Sequence, residues 1–289
     1  MTTHLKNLKV LDLSRVLAGP YCAQLLADQG ADVIKIESPG TGDENRVWGA
    51  RASDGITANF HSVNRGKRGI TLNLKSEAAR EVLRRLIVKS DVLIQSFLPD
   101  SAARLGVDYQ AVRTIKPDII YCSVNGYGPN GEMHNKAGYD LMMQAFSGVM
   151  STTGHEGGPP VRVGISCIDM TTGIAAYGGI VTALLKRLNG AGGSHVTVSL
   201  LETAISLLGY HAVSWLQAGK LPTREGSGVW VASRVRLHGR RRSESFPPNP
   251  HADKRGVRRI HALRALRLRC PGAAPRYSGF SPTSFTARA

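Results

Sequence analysis

Two short apolar runs joined by one helix at the start of the chain most constrain the fold. The first run, KVLDLS at residues 9–14, precedes a loop and a stretch with helical spacing at residues 22–29. Gly30 follows as the C-cap, and ADVIKIE at residues 31–37 has the composition of a second strand. A strand–helix–strand unit pairs its strands in parallel through a right-handed crossover. The sequence therefore predicts an α/β fold with a Rossmann-like parallel sheet flanked by helices.

Later apolar runs extend this pattern. Alternation over residues 70–75 predicts a strand with one face in the core, and residues 77–89 follow with amphipathic helical spacing. Residues 91–97 and 118–124 are two more predicted strands, and residues 192–219 are predicted to form a strand and an apolar helix. Open α/β sheets bind ligands at the carboxyl ends of their strands, so the loops after these runs are candidate binding segments.

Composition favours a cytoplasmic protein. No run of 18 apolar residues could span a bilayer, and the segment at residues 173–185 is predicted to be a buried helix instead. The N-terminal residues lack the apolar segment of a signal peptide. The four cysteines stand singly, which favours reduced thiols over disulfides or zinc. His195 and His211 have no second ligand at metal spacing, so we expect them to pack or face solvent and expect no metal site. The missing apolar run gives the expectation of no membrane partner.

The net charge of +16 is concentrated at one end of the chain. Residues 231–289 contain 14 Lys and Arg against two acids, so they carry +12 and the first 230 residues carry +4. A charge of +4 is compatible with binding an anionic cofactor and requires no nucleic acid.

Asp169 occupies an unusual position between two predicted elements. The alternating residues Val161, Val163 and Ile165 predict a strand before it, and a helix rich in small residues follows it. An aspartate at this junction fits a helix N-cap, where its oxygens accept the first free N–H groups. It equally fits a nucleophile for an activated acyl group, because the small residues that follow allow a ligand to approach closely. The spacing alone leaves both interpretations open.

Several motifs in order carry a resemblance to the class III CoA-transferases, which include formyl-CoA transferase and the carnitine CoA-transferases. The motifs are KVLDLSRVLAGPYCAQLLADQGADVIKIESPGTGD, NRGKRGITLNLKS, AGYDLMMQAFSGVMSTTG and GPPVRVGISCIDMTTG. The resemblance implies transfer of CoA from an acyl-CoA to a carboxylic acid through covalent intermediates on Asp169. It implies no tightly bound cofactor, since the CoA thioester is a substrate, and it implies an interlocked homodimer.

The resemblance also implies a set of residues that bind CoA. Ser96 stands where the family has an asparagine, and Ser38 stands where some relatives carry an arginine. The implied CoA-binding and thioester-binding residues are Leu17, Ala18, Leu72, Asn73, Leu74, Lys75, Ser96, Phe97, Arg104, Lys136, Gly138, Tyr139 and Asp140.

The cations that flank the predicted strand at residues 70–75 have two interpretations. Arg65, Lys67, Arg68 and Lys75 could form a clamp for the phosphates of CoA, or they could be solvated loop and strand-end residues. The resemblance favours the clamp.

A second enzyme class shares most of these motifs. The alpha-methylacyl-CoA racemases are similar in fold and use a histidine at the position of Tyr139, paired with the aspartate, to move an α-proton. A tyrosine with an ordinary pKa near 10 is a poor replacement for that base. The sequence therefore favours acyl transfer over racemisation.

The resemblance stops near residue 230, where the composition changes to Arg, Pro, Ala, Gly and Ser. We expect residues 1–230 to be the N-terminal part of the large CoA-transferase domain. Residues 231–289 are expected to be an atypical basic tail, frame-shifted, replaced or disordered, in place of the family's C-terminal part. A basic tail that binds nucleic acid or membrane, and an inactive truncated family member, are the alternatives.

Overall fold

A computed structural model of the chain describes residues 4–226, so the expected basic tail lies outside the described residues. Six parallel strands form one sheet in the order β3-β2-β1-β4-β5-β6. The strands are β1 (Lys9–Leu13), β2 (Asp32–Glu37), β3 (Arg68–Thr71), β4 (Val92–Gln95), β5 (Ile120–Asn125) and β6 (Ser194–Ser199). The predicted α/β fold with a parallel sheet is confirmed.

Helices connect and cover the strands, together with a short 3-10 helix at Glu44–Arg46. They are α1 (Ala18–Asp28), α2 (Ala58–Asn64), α3 (Glu77–Val88), α4 (Pro99–Leu105), α5 (Tyr109–Ile115), α6 (Asp140–Phe146), α7 (Val149–Thr152), α8 (Cys167–Leu188), α9 (Leu200–Leu208) and α10 (Tyr210–Ala218).

The strand order reverses between β1 and β4, which are neighbours in the sheet although they are far apart in sequence. The loops that leave the carboxyl ends of β1 and β4 therefore diverge to opposite sides and leave a crevice between them, the usual ligand site of such sheets. One hydrogen bond joins the two loops, because the Arg15 backbone N–H donates to Ser96 Oγ at 3.0 Å.

Side chains alternate between two cores on opposite faces of the sheet. Val10 of β1 belongs to the core that contains α1 and α8, whereas Leu11 and Leu13 belong to the core that contains α3, α4 and α5. All four residues of β4 are buried, because helices cover both faces.

One predicted strand is absent, and another ends earlier than predicted. Residues 161–166 form no strand, because no sheet edge pairs with them, and the alternating Val161 and Ile165 are 47% and 68% exposed. Strand β3 ends at Thr71, where the backbone turns toward α3, so Leu72 to Lys75 form the loop after the strand.

Helix boundaries differ from prediction at two places. Helix α1 begins at Ala18, four residues earlier than predicted, because Pro20 fits the first turn of a helix, where an N–H is not needed. The predicted apolar helix after β6 is divided into α9 and α10 at Gly209, whose φ of 49° lies in the left-handed region.

Helix α8 is the one candidate membrane span within residues 4–226, by length and composition only. It packs against α1, β5, β6 and α9, and 44% of its most apolar 18-residue stretch is buried. These contacts are those of a core helix, as predicted for residues 173–185.

Adjacent glycines of α8 have opposite surroundings. A Cβ on Gly179 would lie 2.7 Å from Val196 Cγ1 of β6, whereas a Cβ on Gly178 would meet nothing within 4 Å. Gly179 is therefore required for α8 to approach the sheet, and Gly178 is not.

We expect Gly179→Ala to lower the free energy of unfolding by roughly 1–3 kcal/mol, because α8 or Val196 must move. Gly178→Ala is the matched control and should raise that free energy by about 0.5–1 kcal/mol through helix propensity. Denaturant unfolding of both variants measures the difference, and equal effects would contradict the packing role of Gly179.

Candidate active site

Asp169 lies in the first turn of α8, and its side chain is buried with 7% exposure. The helix begins after Ser166, which makes no side-chain capping bond, so the N-cap interpretation of Asp169 is wrong. The predicted strand before Asp169 is also absent. An extended loop leads into α8 and places this carboxylate beside the crevice of the sheet.

Asp140 supplies the cap that α8 lacks. Its Oδ2 accepts hydrogen bonds from the backbone N–H groups of Ile168 at 2.8 Å and Asp169 at 3.1 Å. Gln144, one turn further along α6, donates to Asp140 Oδ1 at 2.5 Å and accepts from the Val163 N–H at 2.8 Å. Helix α6 therefore fixes both the start of α8 and the loop before it.

Burial and charge change the chemistry of Asp169. Desolvation, followed by the negative charge of Asp140, raises the pKa of Asp169 from 3.8 to about 7. A carboxylate with this pKa is more basic and less hydrated than one in water, which favours attack on an electrophilic carbon.

A cavity of about 170 Å³ opens beside Asp169. The loop after β1, the loop after β4 and the segment before α6 form its walls. The predicted site residues that line it are Leu17, Ala18, Ser96, Phe97, Lys136, Gly138, Tyr139 and Asp169. Asp140 does not line this cavity. Its carboxylate instead accepts hydrogen bonds from backbone N–H groups at the start of α8.

Close contact between two glycines shapes one wall of this cavity. A Cβ on Gly126, after β5, would lie 2.9 Å from the Gly138 backbone nitrogen. The segment that carries Lys136 and Tyr139 can therefore cross the end of β5 only because both positions lack a side chain.

Two further cavities continue along the carboxyl edge of the sheet. One, of about 130 Å³, is lined by the predicted residues Leu72, Asn73, Leu74 and Lys75. The other, of about 430 Å³, is lined by the cations Arg15, Lys75, Arg80 and Arg104. Arg15 pairs with Glu44 and Arg80 with Glu77, and neither carboxylate lines this cavity. Arg15 and Phe97 line all three cavities, so the predicted binding residues fall along one continuous edge.

The predicted cationic clamp is wrong for three of its four members. Arg65 and Arg68 pair with Asp28 and Asp32, away from the carboxyl edge of the sheet. Lys67 is buried beneath the loop after β1, where desolvation lowers its pKa to about 8 and Asp12 opposes the shift. Only Lys75 faces a cavity. The prediction was wrong because a cation that is close to a strand in sequence lies at the carboxyl edge of the sheet only if it follows the strand.

Sequence reasoning missed Arg15, Arg80 and Gln144. Arg15 follows β1 directly and was detectable from its place after a strand, and its guanidinium lies 5.8 Å from the centre of the Phe97 ring. Gln144 had no distinguishing signal, since its role depends on how α6 and α8 meet.

Within residues 4–226 no group of three or more His, Cys, Asp or Glu side chains could hold a metal ion. His195 is exposed, its ring stacks on Tyr109, and its Nε2 lies 2.8 Å from Ser123 Oγ.

Known proteins share this arrangement of sequence and fold. The profile of CoA-transferase family III matches residues 5–238. The succinate–glutarate CoA-transferase of Agrobacterium fabrum is 39% identical over 229 residues, which are 77% of this chain and 57% of that protein. The acetyl-CoA:oxalate CoA-transferase of Acetobacter aceti is 40% identical over 222 residues, 76% of this chain and 57% of that protein.

A crystal structure of a CAIB/BAIF family protein from Brucella suis superposes with a TM-score of 0.75 at 39% identity, covering 78% of this chain and 61% of that one. The chain thus spans between half and two thirds of the length of these relatives. Since the family profile matches most of its residues, the chain belongs to CoA-transferase family III.

Proposed function

We propose that this chain moves CoA from an acyl-CoA donor to a carboxylic acid, with Asp169 as the covalent nucleophile. The observation that carries the proposal is the buried Asp169 carboxylate in the wall of a cavity that continues into a cationic cavity of about 430 Å³. A thioester beside Asp169 and a phosphorylated nucleotide beside the cations would occupy one continuous edge. The names of the relatives support transfer as the reaction.

The first half-reaction releases the donor acid. Asp169 attacks the thioester carbon, the carbon–sulfur bond breaks, and a mixed anhydride and the CoA thiolate result. The thiolate then attacks the Asp169 carbonyl carbon, which gives an aspartyl-CoA thioester and the free donor carboxylate. The acceptor carboxylate repeats both steps in reverse order and regenerates Asp169. Every step exchanges oxygen and sulfur at a carbonyl carbon, so the protein mainly orients the groups and stabilises oxyanions.

The start of α1 supplies donors for these oxyanions. The first N–H groups of a helix have no intrahelical acceptor, and α1 has no side-chain cap. Leu17 and Ala18 line the same cavity as Asp169. Their N–H groups would stabilise the charge that develops on the carbonyl oxygen.

The second substrate is proposed to be a small dicarboxylic acid. The relatives' names specify succinate, glutarate and oxalate, all dicarboxylates. Arg15 and Lys136 line the cavity of Asp169 and would hold the carboxylate that does not react.

We also propose that the protein is a homodimer located in the cytoplasm. Apolar side chains on the described surface support a protein partner, because Leu188 and Leu216 are 81% and 80% exposed.

Asp169→Asn should reduce CoA transfer below roughly a thousandth of the wild-type rate while CoA still binds, because the amide is a poor nucleophile. Intact-mass spectrometry after incubation with acyl-CoA should find covalent CoA on the wild-type chain only. Asp118→Asn, a change at a carboxylate outside all three cavities, is the control. Retained transfer by Asp169→Asn, or α-proton exchange into deuterated water without an acceptor acid, would contradict the proposal.

The raised pKa of Asp169 predicts how pH affects stability. Its folded pKa of about 7 exceeds the ordinary 3.8, so ionisation costs folding energy as pH rises between these values. Asp169→Asn avoids that cost. Above pH 7 its free energy of unfolding should exceed that of the wild type by about 2–4 kcal/mol, and near pH 3 the two free energies should be equal. Thermal unfolding from pH 3 to 8 measures this difference, and a pH-independent difference would refute the desolvation of Asp169.

Arg15→Met should raise KM for a dicarboxylic acceptor about tenfold or more and leave KM for a monocarboxylic acceptor nearly unchanged, because only the former loses an ion pair. Initial rates with glutarate and with butyrate test this expectation. Equal changes for both acids would remove Arg15 from acceptor recognition.

A further inference from the structure

Val16 has a backbone conformation that a β-branched residue rarely adopts. Its φ is 69°, in the left-handed region, where branching at Cβ adds strain. Val16 precedes Leu17 and Ala18, and all three line the cavity beside Asp169. A relaxed Val16 would turn the following residues away from their present place in the wall.

Two buried side chains hold Val16 in this conformation. Asp43 Oδ1 accepts a hydrogen bond from the Val16 N–H at 3.1 Å, and Asn45 Nδ2 donates to the Val16 carbonyl at 2.5 Å. Asp43 is 1% exposed and Asn45 is fully buried. The N–H and the carbonyl of the strained residue are therefore both hydrogen-bonded to buried side chains that do not line the cavity of Asp169.

Two buried lysines fix the ends of the same loop. Lys35 pairs with Asp43 Oδ2 at 2.9 Å and donates to the Ser14 carbonyl at 2.9 Å. Lys67 donates to the Pro20 carbonyl at 2.7 Å and to Asp12 Oδ2 at 2.8 Å. The loop from Ser14 to Pro20 is thus bound at its start, its middle and its end.

This buried network does not itself touch the cavity of Asp169. The lining of that cavity includes none of Asp12, Lys35, Asp43, Asn45 and Lys67. Buried ion pairs contribute little net stability compared with apolar residues of similar volume. Stability alone therefore gives a weak reason for placing charged groups beneath this loop.

We propose that Asn45 and Asp43 are positioning residues for CoA transfer: they hold Val16 in the left-handed conformation that places Leu17 and Ala18 in the wall facing Asp169. This inference rests on the proposed function. Oxyanion donors act only when they are already oriented as charge develops, and displacements of about 1 Å cost large factors in rate. The network therefore affects turnover more than CoA binding, because Lys75, Arg80 and Arg104 of the cationic cavity belong to other segments and Arg15 alone among its cations lies in the loop that the network holds.

The test is a double-mutant cycle between Asn45 and Val16 in the full chain. Asn45→Leu removes the donor to the Val16 carbonyl and should lower kcat about thirtyfold or more, while KM for acyl-CoA changes less than threefold. Val16→Gly removes the strain, because glycine adopts a positive φ freely. In the Val16→Gly background the loss caused by Asn45→Leu should shrink about tenfold.

Asn45→Ser, whose short side chain does not reach Val16, replaces Asn45→Leu if the latter fails to fold. Asn130→Leu and Asn130→Ser, at an exposed loop position, are the matched controls. An unchanged kcat for the Asn45 variants, or an equal loss in both backgrounds, would overturn the inference.

Amide hydrogen exchange at Leu17 and Ala18 separates this inference from the proposed function. The Asn45 variants should exchange these amides faster than wild type, and Val16→Gly should reduce that difference. Faster exchange without transfer by the wild-type chain would support the holding of Val16 by Asn45 and refute the proposed function, and with it the role of Asn45 in CoA transfer. Transfer by wild type with unchanged exchange in the Asn45 variants would refute the positioning role alone.

Discussion

The rest of the site depends on the hydrogen bonds that the Asp140 carboxylate accepts. Two N–H groups at the start of α8 donate to one of its oxygens, and Gln144 donates to the other. This arrangement fixes α8 through another helix, so the first turn can leave the Asp169 side chain unused for capping. Burial and, after it, the charge of Asp140 raise the pKa of Asp169, so the residue that positions the start of α8 also contributes to the chemistry of Asp169.

A second set of buried charges supports the opposite wall of the cavity. The loop after β1 is held by Asp43, Asn45, Lys35 and Lys67, all beneath the surface. Both walls follow the same plan, in which residues that line the cavity lie on backbone to which buried polar side chains are hydrogen-bonded. Such an arrangement gives a rigid site at the cost of burying several ionised side chains.

The sequence was sufficient to predict the parallel sheet, because alternating apolar runs and helical spacing are local signals. The resemblance to the CoA-transferases, carried by motifs in the sequence, named most of the residues that line the cavities at the carboxyl edge. It failed at residues 161–166, where alternation occurs without a partner strand, and at Lys67, whose partners Asp12 and Pro20 lie far away in sequence. The roles of Gln144 and Asn45 depend on how separate segments meet, which no local pattern records.

The single hydrogen bond from the Arg15 N–H to Ser96 Oγ spans the crevice where the strand order reverses. It ties together two loops that would otherwise diverge, so the chain itself sets the width of the gap between the halves of the sheet. Under the proposed function, the size of acyl group that this gap admits would therefore depend on one small hydroxyl that lies outside the reacting centre.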